Sequence, residues 1–237
     1  MRIAMWSGPR NLSKAMMYAF AARRDCAVVD EPFYGAYLAE TGLDHPMRAQ
    51  IMAAQDNTPG RVIAKLTGSN PNEMPHFYQK HMAQHMVFAG SSDWMLKFTN
   101  IFLIRHPARV IASYAAKREN PTADDLGFEK QLELFNQLRA RGQSPIVIDS
   151  HDIRANPELM LRRLCELIGL SWDPAMLNWP VGGHKDDGVW ASHWYGAAHR
   201  STGFAGAEGP LPDVPDAQKP LYKVANRAFQ RIKVFKV

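Results

Sequence analysis

An apolar run, Ile3-Ala4-Met5-Trp6, is followed at once by Ser7-Gly8-Pro9-Arg10-Asn11-Leu12-Ser13-Lys14 and then by a helical pattern. The helix is predicted because apolar residues recur at the spacing of one helix face, at Leu12, Ala15, Met16, Ala19 and Phe20. A strand, a glycine-containing loop and a helix in this order point the free N–H groups of the helix start back at the loop. These groups and the helix dipole favour a bound phosphate or sulfate, and Arg10 and Lys14 add positive charge. We therefore predict an oxyanion site at residues 7–14, the N-terminal loop.

The N-terminal loop departs from the Walker pattern G-x-x-x-x-G-K-[ST] at two positions. Ser13 stands where the second glycine belongs, and Ala15 lacks the hydroxyl that would bind Mg²⁺. The sequence therefore disfavours an ATP–Mg²⁺ site but keeps the anion cradle, and a group donor that needs no metal fits better. For this segment alone, a plain strand-to-helix turn of an α/β protein is the alternative.

Composition limits the class of protein. The chain has 237 residues, 46% of them hydrophobic, and is predicted to form one domain over residues 1–237 with a loop-rich part at 170–237. The chain has no long apolar stretch and no leader pattern, so no membrane partner is expected. Because Cys26 and Cys165 lie in apolar segments, a reduced, cytoplasmic protein is expected.

The charge of the chain limits its partners. The net charge of +5 suits a small polyanionic ligand. Because no Lys/Arg run exceeds two residues, nucleic acid is not an expected partner; oligomeric state stays open.

Short, continuously apolar runs predict further strands at 27–29, 62–64, 101–104 and 146–148. Such runs are typical of parallel strands that helices cover on both faces. We therefore predict a three-layer α/β fold with a mostly parallel sheet, like that of P-loop nucleotide-binding proteins. Because ligands bind at the carboxyl ends of such strands, the polar residues that follow these runs are expected to line one crevice. They are Ser7 and Gly8, Asp30 and Glu31, Lys65, Arg105 and His106, and Asp149.

A second phosphate-binding segment follows the run at 101–104. Arg105 ends this strand, and Pro107 is placed to open a helix that carries Ser113. A guanidinium fork and a hydroxyl at this spacing can hold one phosphate from two sides. Taken alone, the segment fits equally well an arginine paired with a carboxylate and an interior serine.

Together these segments resemble the sulfotransferase superfamily, enzymes that move a sulfuryl group from 3′-phosphoadenosine 5′-phosphosulfate (PAPS) to an acceptor. Residues 6–13 are similar to the family's 5′-phosphosulfate loop, with Leu12 in place of the loop glycine. The segment from Arg105 through Pro107 to Ser113 is similar to its 3′-phosphate motif, in which Arg and Ser bind.

Two later segments extend the likeness. Residues 147–164 resemble the family's late strand and helix, and Lys185-Asp186-Asp187-Gly188-Val189-Trp190 stands where the family has a basic, glycine-containing loop over the nucleotide. The segments 6–11, 30–34 and 190–195 are similar to those of a bacterial sulfotransferase-like group.

The resemblance implies that PAPS is the co-substrate, that no metal takes part, and that a hydroxyl or amine of a small-molecule acceptor receives the sulfuryl group. It implies nucleotide-binding roles for a defined set of residues. They are Gly8, Pro9, Arg10, Asn11, Leu12, Ser13, Lys14, Arg105, Ser113, Lys185, Gly188 and Trp190.

Two catalytic roles are predicted from the chemistry. Arg10, with Ser13 and the helix start, would stabilise the bridging oxygen of the leaving phosphate. Glu31 is the predicted general base because it follows the second strand at the mouth of the crevice, with Asp30 as the reserve. The alternative for Glu31 is a helix cap or an ion-pair partner of Arg10.

Two other functions remain open at this stage. A P-loop kinase would place Lys14 on the phosphates and use Asp149 as a Mg²⁺ ligand, although Ala15 argues against it. The second alternative is a non-catalytic nucleotide-binding module, which is favoured by Leu12 in place of the loop glycine.

Overall fold

The structure is a computed structural model that describes residues 1–115 and 121–237. Within these residues a five-stranded sheet is formed, and all its strand pairs are parallel. The strands are β1 (Arg2–Ser7), β2 (Cys26–Asp30), β3 (His76–Met82), β4 (Thr99–Ile104) and β5 (Ile146–Asp149).

The strand order β2-β3-β1-β4-β5 puts β1 at the centre of the sheet. The chain leaves β1 towards β2 and β3 on one side and later returns to β4 and β5 on the other. The carboxyl end of β1 is therefore a topological switch point, the place where open α/β sheets bind ligands. The N-terminal loop starts there.

Helices connect the strands and cover both faces of the sheet, as the predicted three-layer fold requires. They are α1 (Ser13–Ala21), α2 (Tyr34–Thr41), α3 (Arg48–Ala54), α4 (Pro59–Thr67), α5 (Pro107–Ala115), α6 (Ala123–Leu126), α7 (Phe128–Ala140), α8 (Ser150–Ala155), α9 (Pro157–Ile168), α10 (Ala191–Trp194), α11 (Gly196–His199) and α12 (Lys219–Lys233). Short 3-10 turns lie at Pro71–Glu73, Ala83–His85, Asp93–Lys97, Pro174–Leu177 and Asp216–Gln218.

The side chains of β1 alternate between two cores. Ile3 and Met5 pack in the core that α1 and α9 cover, whereas Ala4 and Trp6 pack in the core that α5, α7 and α12 cover. Because both faces of the strand are buried, its sequence is continuously apolar rather than alternating. This explains why β1 and β4 were predictable.

Helix starts follow the sequence signals. Pro107 opens α5 and Pro157 opens α9, where the missing N–H of proline costs no hydrogen bond. The side chain of Asn156 caps α9 by accepting from the Leu159 N–H at 3.2 Å.

The prediction of a strand at 62–64 was wrong. These residues lie in α4, where Val62 and Leu66 are buried one helical turn apart. Lys65 therefore stands on a helix and not at a strand end, and its exposed ammonium pairs with Asp56 at 2.6 Å.

The strand that lies between β2 and β1 is instead β3, whose sequence is largely polar. Gln79, Lys80 and His81 are all buried, because neighbouring elements satisfy them. Gln79 donates to the Leu66 carbonyl oxygen at 3.1 Å, and His81 stacks on Trp6 with ring centroids 4.2 Å apart. The third, Lys80, lies beside Asp30 of β2.

Residues 170–215 contain short turns and the small helices α10 and α11, and α12 closes the chain. None of the helices in the described part of the chain combines the length and the apolar character that a membrane span requires.

Candidate active site

A cavity of about 1350 Å³ opens at the carboxyl end of the sheet. Its wall includes the N-terminal loop, the ends of β2, β3 and β4, and residues 197–198 and 200–205. Pockets for one small ligand measure about 300–1,000 Å³. The cavity therefore has room for a nucleotide and a second, smaller molecule.

The N-terminal loop has a backbone that few sequences adopt. Arg10 and Leu12 have φ angles of 60° and 67°, in the left-handed region that favours glycine. Gly8 is required at its position, because a Cβ there would lie 2.6 Å from the backbone oxygen of Leu126. The Asn11 side chain fastens the loop to β4 by donating to the Leu103 carbonyl oxygen at 3.2 Å. Backbone strain of this kind concentrates at functional sites.

The loop leads directly into the start of α1. Its first helical hydrogen bond runs from the Met16 N–H to the Leu12 carbonyl oxygen, so the helix itself supplies no partner for the preceding N–H groups. Within the described residues no side chain caps this helix, and its first turn carries no acidic residue. Leu12, Ser13, Lys14 and Ala15 line the cavity. Anionic oxygens can therefore be bound at this helix start.

Arg10, Arg105 and Ser113 meet beside the loop. Arg105 donates to the Arg10 carbonyl oxygen at 2.6 Å, and the Arg10 Nε donates to the Ser113 hydroxyl at 3.0 Å. Burial and the Arg105 charge lower the pKa of Arg10 from its ordinary value. Because the Arg105 charge disfavours the charged form of Arg10, an anion beside the two arginines would be stabilised. The structure thus brings together residues from two segments 95 positions apart.

Arg105 also belongs to a second group, the arginine cluster, which consists of Arg105, Arg109 and Arg154. All three contact the carboxylate of Glu208, whose side chain is 1% exposed. Arg109 Nε lies 3.0 Å from Oε2, and Arg154 donates to Oε1 at 3.0 Å. Burial alone would raise the pKa of Glu208, but the arginines lower it.

Lys14 does not point a free ammonium at the loop. Its Nζ lies 2.9 Å from Asp30 and 2.6 Å from Asp187, and it sits 4.2 Å from the ring centroid of Tyr195. The structure therefore places Lys14 in a buried ion network at the ends of β2 and β3. The members of the network are Lys14, Asp30, Glu31, Lys80 and Asp187.

Lys80 is a buried residue of the candidate site that sequence reasoning missed. Its Nζ contacts Asp30 at 2.9 Å and Glu31 at 2.5 Å, and its side chain is 2% exposed. Burial would lower the pKa of Lys80, but the two carboxylates raise it. In the same way burial would raise the pKa of Asp30, but Lys80 and Lys14 lower it to about 2. Each charge of the network is stable because the opposite charge lies beside it.

Glu31 is a member of this network that lines the cavity. Its Oε1 accepts from Lys80 and, at 2.9 Å, from the Tyr195 hydroxyl, whereas Oε2 lies 4.0 Å from the His85 ring nitrogen. Burial lowers the pKa of His85 well below its ordinary value, so this imidazole is neutral. The backbone of Glu31 is fixed at a φ of 41°, and its carbonyl oxygen accepts from Gln55 at 3.1 Å. One carboxylate oxygen is thus held while the other faces the neutral ring.

Aromatic rings border this end of the cavity. His85 stacks against both Tyr34 and Tyr37, with centroid distances of 4.6 and 4.7 Å. The Tyr34 hydroxyl lies 2.9 Å from His45, and Tyr34, His45 and Trp194 line the cavity. The end with Glu31 is therefore aromatic, and the end with Arg10 and Arg105 is cationic.

The segment 185–190 is the one predicted to close over the nucleotide. The Lys185 side chain is 77% exposed and lies 3.4 Å from Asp186. The Gly188 N–H donates to Asp30 at 3.2 Å, and the buried Trp190 donates to the Tyr195 hydroxyl at 2.8 Å. None of Lys185, Gly188 and Trp190 is among the residues that line the cavity. Residues 197–198 and 200–205 of the same C-terminal part do line the cavity.

Two other residues that were predicted to line the crevice make contacts that support the fold instead. Asp149 accepts from the His151 N–H at 2.9 Å and so caps α8. The ring of His106 packs against Phe229, with centroids 5.4 Å apart. Pro9, the remaining predicted loop residue, lines the cavity with Arg10.

A family model described as a sulfotransferase domain matches residues 1–234. The chain belongs to this sulfotransferase family. Solved structures support the fold. This sulfotransferase domain superposes on a sulfotransferase from Alicyclobacillus acidocaldarius with a TM-score of 0.57, at 10% identity over 99% of this chain and 95% of that one. A sulfotransferase domain from the curacin biosynthetic pathway gives a TM-score of 0.54 at 14% identity, over 94% of this chain and 96% of that one.

Two curated relatives from Arabidopsis thaliana are similar in sequence. The sulfotransferase domain is 33% identical, over 94% of its length, to branched-chain-amino-acid aminotransferase-like protein 1. It is 32% identical, over 86% of its length, to branched-chain-amino-acid aminotransferase-like protein 2. The chain spans 41% and 36% of the length of these relatives.

Proposed function

We propose that this chain transfers a sulfuryl group from PAPS to a hydroxyl or amine of a small-molecule acceptor. The observation that carries the proposal is the meeting of Arg10, Arg105 and Ser113 beside the start of α1. Two guanidinium groups, a hydroxyl and the free N–H groups of a helix can bind a doubly phosphorylated nucleotide at both of its phosphates. Membership of the sulfotransferase family supports the same donor.

Each group has a role in the transfer. Arg10, Ser13 and the N–H groups at the start of α1 would bind the 5′-phosphate and stabilise the charge that develops on its bridging oxygen. Arg105 and Ser113 would bind the 3′-phosphate. The acceptor oxygen or nitrogen attacks sulfur in line, the bond from sulfur to the bridging oxygen breaks, and adenosine 3′,5′-diphosphate leaves.

Glu31 is the proposed base, which takes the acceptor proton on Oε2. Lys80 and Tyr195 hold Oε1, so the carboxylate is oriented before the acceptor binds. The aromatic end of the cavity, at Tyr34, His85 and Trp194, would hold the acceptor. Lys14 would act indirectly, by neutralising Asp30 and Asp187 behind the site.

Asp149 weighs against the kinase alternative. Its carboxylate caps α8, and burial raises its pKa, which disfavours the ionised form that a Mg²⁺ ligand needs.

Thermal unfolding with nucleotides tests the donor. Adenosine 3′,5′-diphosphate at a hundred times its Kd is expected to stabilise the folded protein by about 2.7 kcal/mol, with or without Mg²⁺. Stabilisation by ATP with Mg²⁺ alone would reject the proposal in favour of a kinase. Incubation with PAPS and a panel of phenols, alcohols and amines then tests transfer. Binding of adenosine 3′,5′-diphosphate without transfer to any of them would favour a nucleotide-binding module.

A further inference from the structure

Glu208 binds the arginine cluster as a phosphate would. Its Oε1 accepts from Nε and NH2 of Arg105, the two groups that form the fork of a guanidinium. The same oxygen accepts from Arg154, and Oε2 contacts Arg109. His151 adds a ring nitrogen 3.8 Å from Oε2. A carboxylate from a loop thus occupies an anion site formed by the end of β4, α5 and α8. Arg105 joins this site to the cavity, because it lines the cavity while Arg109, Arg154 and Glu208 do not.

The charges of this site do not balance. Three guanidinium groups surround one carboxylate, which leaves two positive charges. A phosphate monoester carries about −1.5 to −2 at pH 7 and offers three acceptor oxygens. The arginine cluster therefore suits a phosphate better than the carboxylate it contacts.

Arg105 cannot bind the Glu208 carboxylate and a phosphate through the same N–H groups at once. Its NH1 donates to the Arg10 carbonyl oxygen, and its fork is taken by Glu208. A phosphate that binds this fork in the bidentate manner has to remove Glu208 first.

The segment that carries Glu208 is irregular and is held to the arginine cluster by hydrogen bonds that can be broken. Residues 204–215 form neither helix nor strand. Arg154 donates to the Gly206 carbonyl oxygen at 2.9 Å, and Arg109 donates to that of Gly209. The arginine cluster therefore holds the segment on both sides of Glu208 through its own N–H groups.

We propose that Arg105, Arg109 and Arg154 together bind the donor's 3′-phosphate, and that Glu208 occupies this site in the free protein until the phosphate displaces it. The proposal rests on the proposed function and adds Arg109, Arg154 and Glu208 to the site. The cost of releasing Glu208 lowers the apparent affinity for ligands with a 3′-phosphate, because a fraction of the sites is closed at any time.

Calorimetric titration of the full chain with adenosine 3′,5′-diphosphate and with adenosine 5′-monophosphate tests the displacement. Glu208→Gln keeps the shape of the side chain and removes its charge. We expect it to bind adenosine 3′,5′-diphosphate about tenfold more tightly than the unaltered chain does and to bind the monophosphate equally. The matched control is Asp213→Asn, which removes an exposed carboxylate of the same segment and should change neither affinity.

Arg154→Ala tests the phosphate cluster itself and should weaken binding of adenosine 3′,5′-diphosphate about tenfold without affecting the monophosphate. Hydrogen exchange of the unaltered chain gives a readout that needs no variant. Adenosine 3′,5′-diphosphate should accelerate exchange in residues 204–212, and the monophosphate should not. This measurement keeps the proposal testable if Glu208→Gln does not fold.

The outcomes separate this proposal from the proposed function. Equal or weaker binding of adenosine 3′,5′-diphosphate by Glu208→Gln, or slower exchange at 204–212 with that ligand, would overturn the displacement while leaving the proposed donor standing. Failure of the unaltered chain to bind adenosine 3′,5′-diphosphate at all would overturn both.

Discussion

The guanidinium of Arg105 donates a hydrogen bond of 2.6 Å to the backbone carbonyl oxygen of Arg10. This contact ties the end of β4 to the N-terminal loop and fixes the spacing of the two arginines. The two segments are therefore held together in the free protein, before any ligand binds.

Replacement of Arg105 by alanine should remove selectivity for the 3′-phosphate. A hydrogen bond to a charged group contributes about 1.5–3 kcal/mol, so the affinity for adenosine 3′,5′-diphosphate should fall about 10- to 150-fold. Adenosine 5′-monophosphate should bind nearly as before. Titration calorimetry measures both, and Arg227→Ala, at an exposed pair with Glu129, is the control. Equal losses for the two ligands would contradict the assignment of Arg105 to the 3′-phosphate.

Substitution Glu31→Gln should spare nucleotide binding and remove transfer. A positioned general base contributes about 10²- to 10⁴-fold to the rate, and an amide cannot accept the acceptor proton. The initial rate of adenosine 3′,5′-diphosphate release with a reactive acceptor measures the loss. Glu40→Gln, on the exposed end of α2, is the matched control. Retained turnover in Glu31→Gln would move the role of base to Asp30 or a histidine.

Two lysines paired with aspartate allow burial to be tested directly. Lys80→Met leaves Asp30 and Glu31 buried with less compensation and should lower the free energy of unfolding by about 3–5 kcal/mol. Lys65→Met breaks a pair whose lysine side chain is 76% exposed, and should change the free energy of unfolding by less than about 1 kcal/mol. Urea unfolding measures both. A similar loss in the two variants would show that the buried ion network adds nothing beyond a surface pair.

The network also predicts how stability depends on pH. The pKa of Asp30 is lowered from 3.8 to about 2 in the folded protein, so the unfolded chain binds a proton more readily. The stabilisation from this carboxylate is therefore complete above about pH 4 and is lost as the pH falls towards 2.

Unfolding free energies of the unaltered chain and of Asp30→Asn, measured by urea from pH 7 down to pH 2.5, check this dependence. The difference between the two proteins should be constant above pH 4 and shrink below it. A difference that grows on acidification would reverse the assigned direction.

The buried strand β4 and the starts of α5 and α9 could be predicted because residues close together in the sequence determine them. The run 101–104 is apolar because helices cover both faces of β4, and Pro107 and Pro157 mark helix starts by their own geometry. An apolar triplet such as 62–64 fits a helix or a strand equally well. Here Pro59, at the first position of α4, was the signal for a helix.

The missed residues depend on partners that are distant in sequence. Lys80 and Gln79 are buried in β3 because Asp30 and the Leu66 carbonyl oxygen receive their hydrogen bonds. Glu208 lies 103 positions from Arg105, in a segment whose glycines suggest no more than a loop. Periodicity carries no information about such pairs, so the ion network and the arginine cluster emerge from the tertiary structure alone.

The bond from the Gly188 amide to Asp30 joins residues 158 positions apart and limits how this chain can be recombined. Chimeras that graft the residues 187–199 from a relative would exchange Asp187 and Tyr195 along with the surface loops. Where the relative has other residues at these two positions, Lys14 would lose one counter-charge and Lys80 a hydroxyl partner in the interior. Grafts aimed at a new acceptor therefore need to retain these two side chains, whatever else is exchanged around them.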